Sequence, residues 1–171
     1  MKKIFIFIAT CISFISVMAQ EENTCKGYCG MLDVGFNFNA NGGNAPRLTI
    51  STTHGFQFTP HIFLGAGIQA DVLTNPGSDY KSYALPCYIS FKWNILNKKW
   101  TPYTELRGGY SVAGNTGHYM SFALGLRQLL RNRNAMTFAV GGAYQSYKIK
   151  GLSETDSELN NGPFIKVGIE F

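Results

Sequence analysis

The stretch FIKVGIEF, Phe164 to Phe171, alternates without a break. Successive side chains of an extended strand point to opposite sides. Ile165, Val167, Ile169 and Phe171 therefore share one face, and Lys166, Gly168 and Glu170 share the other. One face is bulky and apolar, and the other is small or charged. Which of the two looks inward decides the fold.

The same pattern recurs along the chain. Period-two alternation bounded by clusters of Gly, Pro, Asn, Asp and Ser predicts eight strands and almost no helix. They run approximately from Tyr28 to Asn39, Arg47 to Phe58, His61 to Leu73, Tyr83 to Asn94, Trp100 to Val112, His118 to Leu129, Ala135 to Lys148 and Pro163 to Phe171. Most exceed the usual soluble strand of about 5 to 6 residues and suit a tilted membrane-crossing strand of about 9 to 11. In the third, Ile62, Leu64, Ala66, Ile68, Ala70 and Val72 oppose Phe63, Gly65, Gly67, Gln69 and Asp71. In the sixth, Met120, Phe122, Leu124 and Leu126 oppose Tyr119, Ser121, Ala123, Gly125 and Arg127.

A soluble sandwich or lipocalin-like barrel would turn the apolar faces inward. However, the polar faces are rich in Gly and Ala, which suits a crowded lumen better than a solvated exterior. A sheet that meets lipid must also pair every backbone group, so only a closed barrel can span. The expected fold is an all-β, eight-stranded antiparallel up-and-down transmembrane barrel over residues 28 to 171. The connections support it: the odd-numbered ones, such as NANGGNA, TNPGSDYKS and KGLSETDSELNNG, tend to be longer and richer in Gly, Asn and Ser than TP, ILNKK and LRNRN. Short turns on one side and longer loops on the other mark outer-membrane barrels.

The opposite end of the chain indicates the compartment. MKKIFIFIATCISFISVMAQ combines Lys2 and Lys3, an apolar run from Ile4 to about Met18, and small residues Val17 and Ala19 before a cut. That is the three-part pattern of a secretory signal peptide. Cleavage after residue 19 of 171 leaves 152 residues, one domain, with residues 20 to 27 as an N-terminal tail in the periplasm. Losing Lys2 and Lys3 lowers the formal charge from +5 to +3, too small and scattered an excess to argue for nucleic acid. The 19 Gly, 13 Phe and 9 Tyr favour strands and turns over helices.

Aromatic placement offers an independent check. With the N-terminus in the periplasm, Trp93 and Trp100 meet at the periplasmic interface beside Phe58 and Phe171, and Tyr83, Tyr110, Tyr119, Tyr144 and Tyr147 gather at the outer rim. Two interfacial girdles are what a membrane barrel carries.

FIKVGIEF also resembles the C-terminal assembly signal of outer-membrane barrels, with a terminal aromatic at Phe171 behind apolar Ile165, Val167 and Ile169. On architecture and this signal, the chain is similar to the small outer membrane protein beta-barrel family, the porin-like, OmpA/OmpX-type eight-stranded barrels. The resemblance implies an outer-membrane location among outer-membrane lipids. It also implies a route through periplasmic chaperones and the barrel-assembly machinery as a partner. A monomer is expected.

The inward positions collect Arg47, Lys92, Arg107, Arg127 and Lys166 against Asp33, Asp71, Glu105 and Glu170. An eight-stranded barrel is only wide enough for its own side chains, and a buried charge without a partner is costly. These nine are therefore expected to pair into a plug, with a narrow ion or solute channel as the alternative.

No enzyme is expected. His118 and Ser121 are three residues apart, on opposite faces of one strand, and so are His54 and Ser51. His61 sits at a turn. No phosphate loop or metal cluster is visible, and no cofactor is expected. Cys25 and Cys29 bracket Lys26-Gly27-Tyr28. A turn at Gly27 could bring them to disulfide distance, with two free thiols the alternative, while Cys87 reads as a small apolar filler. Pro86 should mark a bulge, and His54 falls on the apolar register of its strand. Three functions remain open: a structural or surface-interaction barrel acting through loops such as Lys148 to Gly162, a narrow channel, and a secreted soluble barrel binding a small apolar ligand.

Overall fold

The computed structural model of the chain describes residues 26–38, 46–74, 82–130, 134–148 and 157–171, without the side chains of 147, 148 and 157–160. Eight strands follow one another: β1 (Gly27–Asn37), β2 (Arg47–Gln57), β3 (Ile62–Leu73), β4 (Tyr83–Asn94), β5 (Trp100–Gly114), β6 (Gly117–Leu129), β7 (Ala135–Lys148) and β8 (Ser157–Glu170). Each pairs antiparallel with its neighbours in the chain, and β1 pairs with β8, so the barrel is closed. Over the span from Met31↔Glu170 to Asn37↔Phe164, closure leaves neither strand with an open edge.

The registers fix the shape. Stepping sideways from Met31 leads through Thr53, Gly67, Tyr88, Gly109, Tyr119 and Gln145 to Asn160. Met31 itself faces Glu170, ten residues further along β8. A shift of ten residues over eight strands tilts them by about 40° to the barrel axis.

Side chains sort cleanly between the two surfaces. The outward positions include Leu32, Ile50, Leu64, Ile68, Ile89, Phe91, Leu106, Phe122, Leu124, Val140, Ile165, Val167 and Ile169, all of them exposed. No outward strand position among the described side chains carries Asp, Glu, Lys or Arg. The inward face holds the polar groups and a set of rings: Phe63, Tyr88, Tyr103, Tyr119 and Phe164 are all buried. A soluble barrel with its apolar faces turned in is therefore not what the chain adopts.

The inward glycines explain how so many rings fit. A Cβ at Gly67 would stand 2.7 Å from Tyr88 Cζ, one at Gly125 2.5 Å from Tyr103 Cζ, and one at Gly141 2.8 Å from Phe164 Cζ. Phe63 lies over the facing pair Gly55 and Gly65, 2.7 Å from a Cβ at either. Each ring rests on bare backbone, in space that a side chain at the glycine would take.

Most boundaries move by no more than two residues, and two places differ in kind. β8 starts at Ser157 rather than Pro163, because residues 157 to 162 extend the ladder with β7 as far as Lys148↔Ser157. Their polar sequence hid that pairing. The segment between β5 and β6 shrinks to Asn115 and Thr116, where Gly114 adopts a left-handed φ of 74° that other residues resist. Pro86 sits at a bulge, between Ala84↔Gly114 and Pro86↔Ser111, and the Leu85 N–H donates to Ser111 Oγ at 3.2 Å. The β2 register runs unbroken through His54, which faces outward.

Replacing Gly125 by Ala should lower the unfolding free energy by about 1–3 kcal/mol, because the added methyl meets the Tyr103 ring with no room to retreat. Urea unfolding of the folded protein in lipid vesicles measures it.

Candidate functional site in the barrel lumen

The nine inward charges all lie at or below 8 % exposure and form three tiers along the axis. Nearest the loop that joins β1 to β2, Arg47 of β2 stands 3.6 Å from Asp71 of β3 and also donates to Gln145 Oε1 of β7. Gln69 Nε2 donates to Asp71 Oδ1 at 2.6 Å.

The middle tier joins four charges into one cluster. Arg107 Nε donates to Glu105 Oε1 at 2.8 Å, its Nη2 to Asp33 Oδ2, and its Nη1 to Ser51 Oγ at 3.0 Å. Lys166 Nζ donates to Glu105 Oε2 and lies 3.9 Å from Asp33 Oδ2. Ser90 Oγ donates to Glu105 Oε1 at 2.8 Å. The arrangement is neutral, two cations against two carboxylates. It also ties β1, through Asp33, and β8, through Lys166, to the same strand, β5.

The third tier lies toward the end of the barrel where β8 finishes. Glu170 accepts from Lys92 Nζ on one oxygen and from Arg127 Nε at 2.5 Å on the other. Rings wrap these cations: Lys92 Nζ lies 4.6 Å above the Tyr103 ring centroid, and Arg107 Cζ lies 4.8 Å from that of Tyr88. Both contacts add cation–π attraction between buried groups.

Space between the upper two tiers is small. A void of about 20 Å³ is lined by Asp33, Asn37, Gln69, Arg107 and Tyr119, among others, room for about one water molecule. Asn37 Oδ1 is buried there and finds no hydrogen-bond partner among the described residues.

Most aromatics lie where expected: Trp93, Trp100, Phe58 and Phe171 face outward toward one end, and Tyr83, Tyr110 and Tyr144 face outward toward the other. Tyr119 differs. It is 3 % exposed and points into the lumen, where its hydroxyl donates to Gln69 Oε1 and pairs with the Ser121 hydroxyl, each at 3.1 Å. Strand parity requires this, since neighbouring His118 faces outward, and parity overrides nearness to the rim. Cys25 lies outside the described residues, as does the Tyr147 side chain, and so does any bridge from Cys25 to Cys29.

One outward cluster escaped sequence reasoning. Tyr28 Oη and His54 Nδ1 lie 2.6 Å apart, and Thr52 Oγ1 is 3.0 Å from His54 Nε2. Thr52 and His54 share a face at i and i+2, which the sequence shows, but Tyr28 joins them only through the β1–β2 register. Both ring nitrogens are engaged, so the imidazole is satisfied at an apolar surface. Among the described residues, no group of His, Cys, Asp and Glu is placed to hold a metal ion.

Changing Arg107 to Met should destabilise the barrel by about 3–5 kcal/mol, since Asp33 and Glu105 would each lose a charged partner in a buried site. Thr104→Met on the outward face of the same strand serves as the control, and urea titration in vesicles should show little change for it.

No family model and no curated protein matches the chain. Among solved structures it is similar to Neisserial surface protein A, at 10% sequence identity, over 87% of this chain and 98% of that one, with a TM-score of 0.59. It also aligns with the de novo designed TMB2.3, solved by solution NMR, at 13% identity over 88% of this chain and 96% of that one, TM-score 0.46. A second structure from the de novo design of transmembrane β-barrels aligns at 12% identity over 89% and 98%, TM-score 0.46. At such identities the likeness to the Neisserial protein is one of fold: the chain is a small, closed, eight-stranded β-barrel of the kind that protein adopts.

Proposed function

We propose that the chain is an integral outer-membrane β-barrel protein, exported by its N-terminal signal, with a closed charged lumen and a structural or surface-interaction role rather than a catalytic one. The observation that carries this reading is the uncharged, bulky apolar exterior of a closed barrel. Water would meet that surface at a large free-energy cost, about 25 cal/mol per Å² of apolar area, whereas lipid tails would not. Outer-membrane lipids are thus its principal partner, and periplasmic chaperones and the barrel-assembly machinery follow from the terminal signal of Ile165, Val167, Ile169 and Phe171.

The three ion-pair tiers support a plug over a channel. Buried rings of Tyr88, Tyr103, Tyr119 and Phe164 pack among the tiers, and the void between the upper two has room for about one water molecule, too little for a hydrated ion. A surface partner would be met at the polar connections, chiefly the one read as Lys148 to Gly162, of which residues 157 to 162 belong to β8 and residues 149 to 156 lie outside the described residues.

A single substitution tests the reading. Ile89 is 63 % exposed near the middle of β4. Ile89→Arg should cost about 2–4 kcal/mol when the protein is folded into lipid vesicles, as a charge on the lipid face at mid-depth does. The detergent-extracted wild type should run faster on a gel unboiled than boiled, and a planar bilayer holding it should show no unitary conductance. An Ile89→Arg protein as stable as wild type, and found in the soluble fraction, would overturn the proposal. Steady conductance lost in Arg107→Met would replace the plug by the channel.

A further inference from the structure

The junction of β1 and β8 is the shortest of the eight ladders, with seven register pairs from Met31↔Glu170 to Asn37↔Phe164. Just past its end stands a pair made of the two chain segments furthest apart in sequence. The Gly30 N–H donates to Phe171 O at 2.8 Å, and the Phe171 N–H donates to Gly30 O at 2.9 Å. Gly30 occupies an outward position in β1, between Tyr28 and Leu32, yet it is buried. What buries it is the Phe171 ring: a Cβ at Gly30 would stand 2.5 Å from Cε2, 2.7 Å from Cζ and 3.1 Å from Cδ2.

An outward glycine leaves the backbone of its ladder bare. A ring laid across from the opposite strand supplies the missing side chain, covers the two hydrogen bonds and pins the register. The other outward glycines behave differently. A Cβ at Gly108 or Gly142 would meet nothing within 4 Å. The ring and the glycine at the seam are therefore matched to each other, and a methyl at position 30 would force the ring off.

We propose that Gly30 and Phe171 form a latch that closes the barrel: the terminal aromatic acts within the finished structure, by seating on Gly30, and not only as a label for the assembly machinery. Gly30 is the receiving half, a positioning residue at the seam. The proposal rests on the membrane-barrel reading given above.

The test uses the full mature chain, refolded from urea into phosphatidylcholine vesicles with no assembly machinery present. The folded fraction is read from the fast unboiled gel band across a urea series. Gly30→Ala should lower the ratio of folded to unfolded protein at least about fivefold, the usual scale of overpacking. Phe171→Leu should lower it as well, and Gly142→Ala, the same change at an open outward site, should leave it unchanged. The double variant Gly30→Ala with Phe171→Leu should fold no worse than Gly30→Ala alone, because the smaller side chain makes room for the methyl. If Gly30→Ala matches Gly142→Ala while wild type folds, or if the two seam losses simply add, the latch is wrong and the barrel reading stands. If wild type gives no folded band in vesicles, the barrel reading fails and the latch falls with it.

Discussion

A closed sheet pairs the backbone along its whole circumference, as a hydrocarbon layer of the kind proposed above demands of any sheet that crosses it, and the rest of this barrel depends on that closure. Eight strands achieve it only when the last finds the first. The β1–β8 junction is made of distant segments and carries the fewest ladder pairs, so it is where closure is most easily lost. The lumen reinforces it: Asp33 of β1 and Lys166 of β8 both reach β5, on the far side of the barrel. Gly35 and Gly168 stand beside these two charges in the seam register, which leaves space for the side chains that cross.

Buried ion pairs are a poor source of net stability, because desolvation offsets most of their attraction. Their value here lies in specificity. A one-residue slip of β8 would turn Lys166 and Glu170 to the apolar surface and Ile165, Val167, Ile169 and Phe171 into the lumen, taking Lys166 away from Glu105 and Glu170 away from Lys92 and Arg127. Packing alone would penalise such a slip, and the tiers penalise it more. Hydroxyls join the middle tier: Ser90 Oγ donates to Glu105, and Ser51 Oγ accepts from Arg107 Nη1 and donates to Asp33 Oδ2 at 3.4 Å.

Much of this was written in the alternation of side chains. The inward charges, the outward aliphatics, the two Trp and the bulge at Pro86 follow from period two and from the missing N–H of proline. What the alternation could not supply is height along the axis. Which charge meets which depends on the shift of ten residues around the barrel, and that is a property of all eight ladders together. For the same reason Arg107 with Asp33, Tyr28 with His54, and each ring with its glycine were invisible before the registers were known. Tyr119 lies near a turn, yet strand parity turns it inward, and SELNNG reads as loop until β7 is there to pair with it.

The seating of rings on glycines has a further consequence, for descent rather than stability. Tyr88 with Gly67, Tyr103 with Gly125 and Phe164 with Gly141 each join two neighbouring strands, and neither member can be exchanged alone without a clash or a hollow. Drift at these positions is therefore coupled. In related chains a lost glycine should coincide with a smaller residue at its partner, so the wall of the barrel should record its own strand order as covariation between columns far apart in sequence.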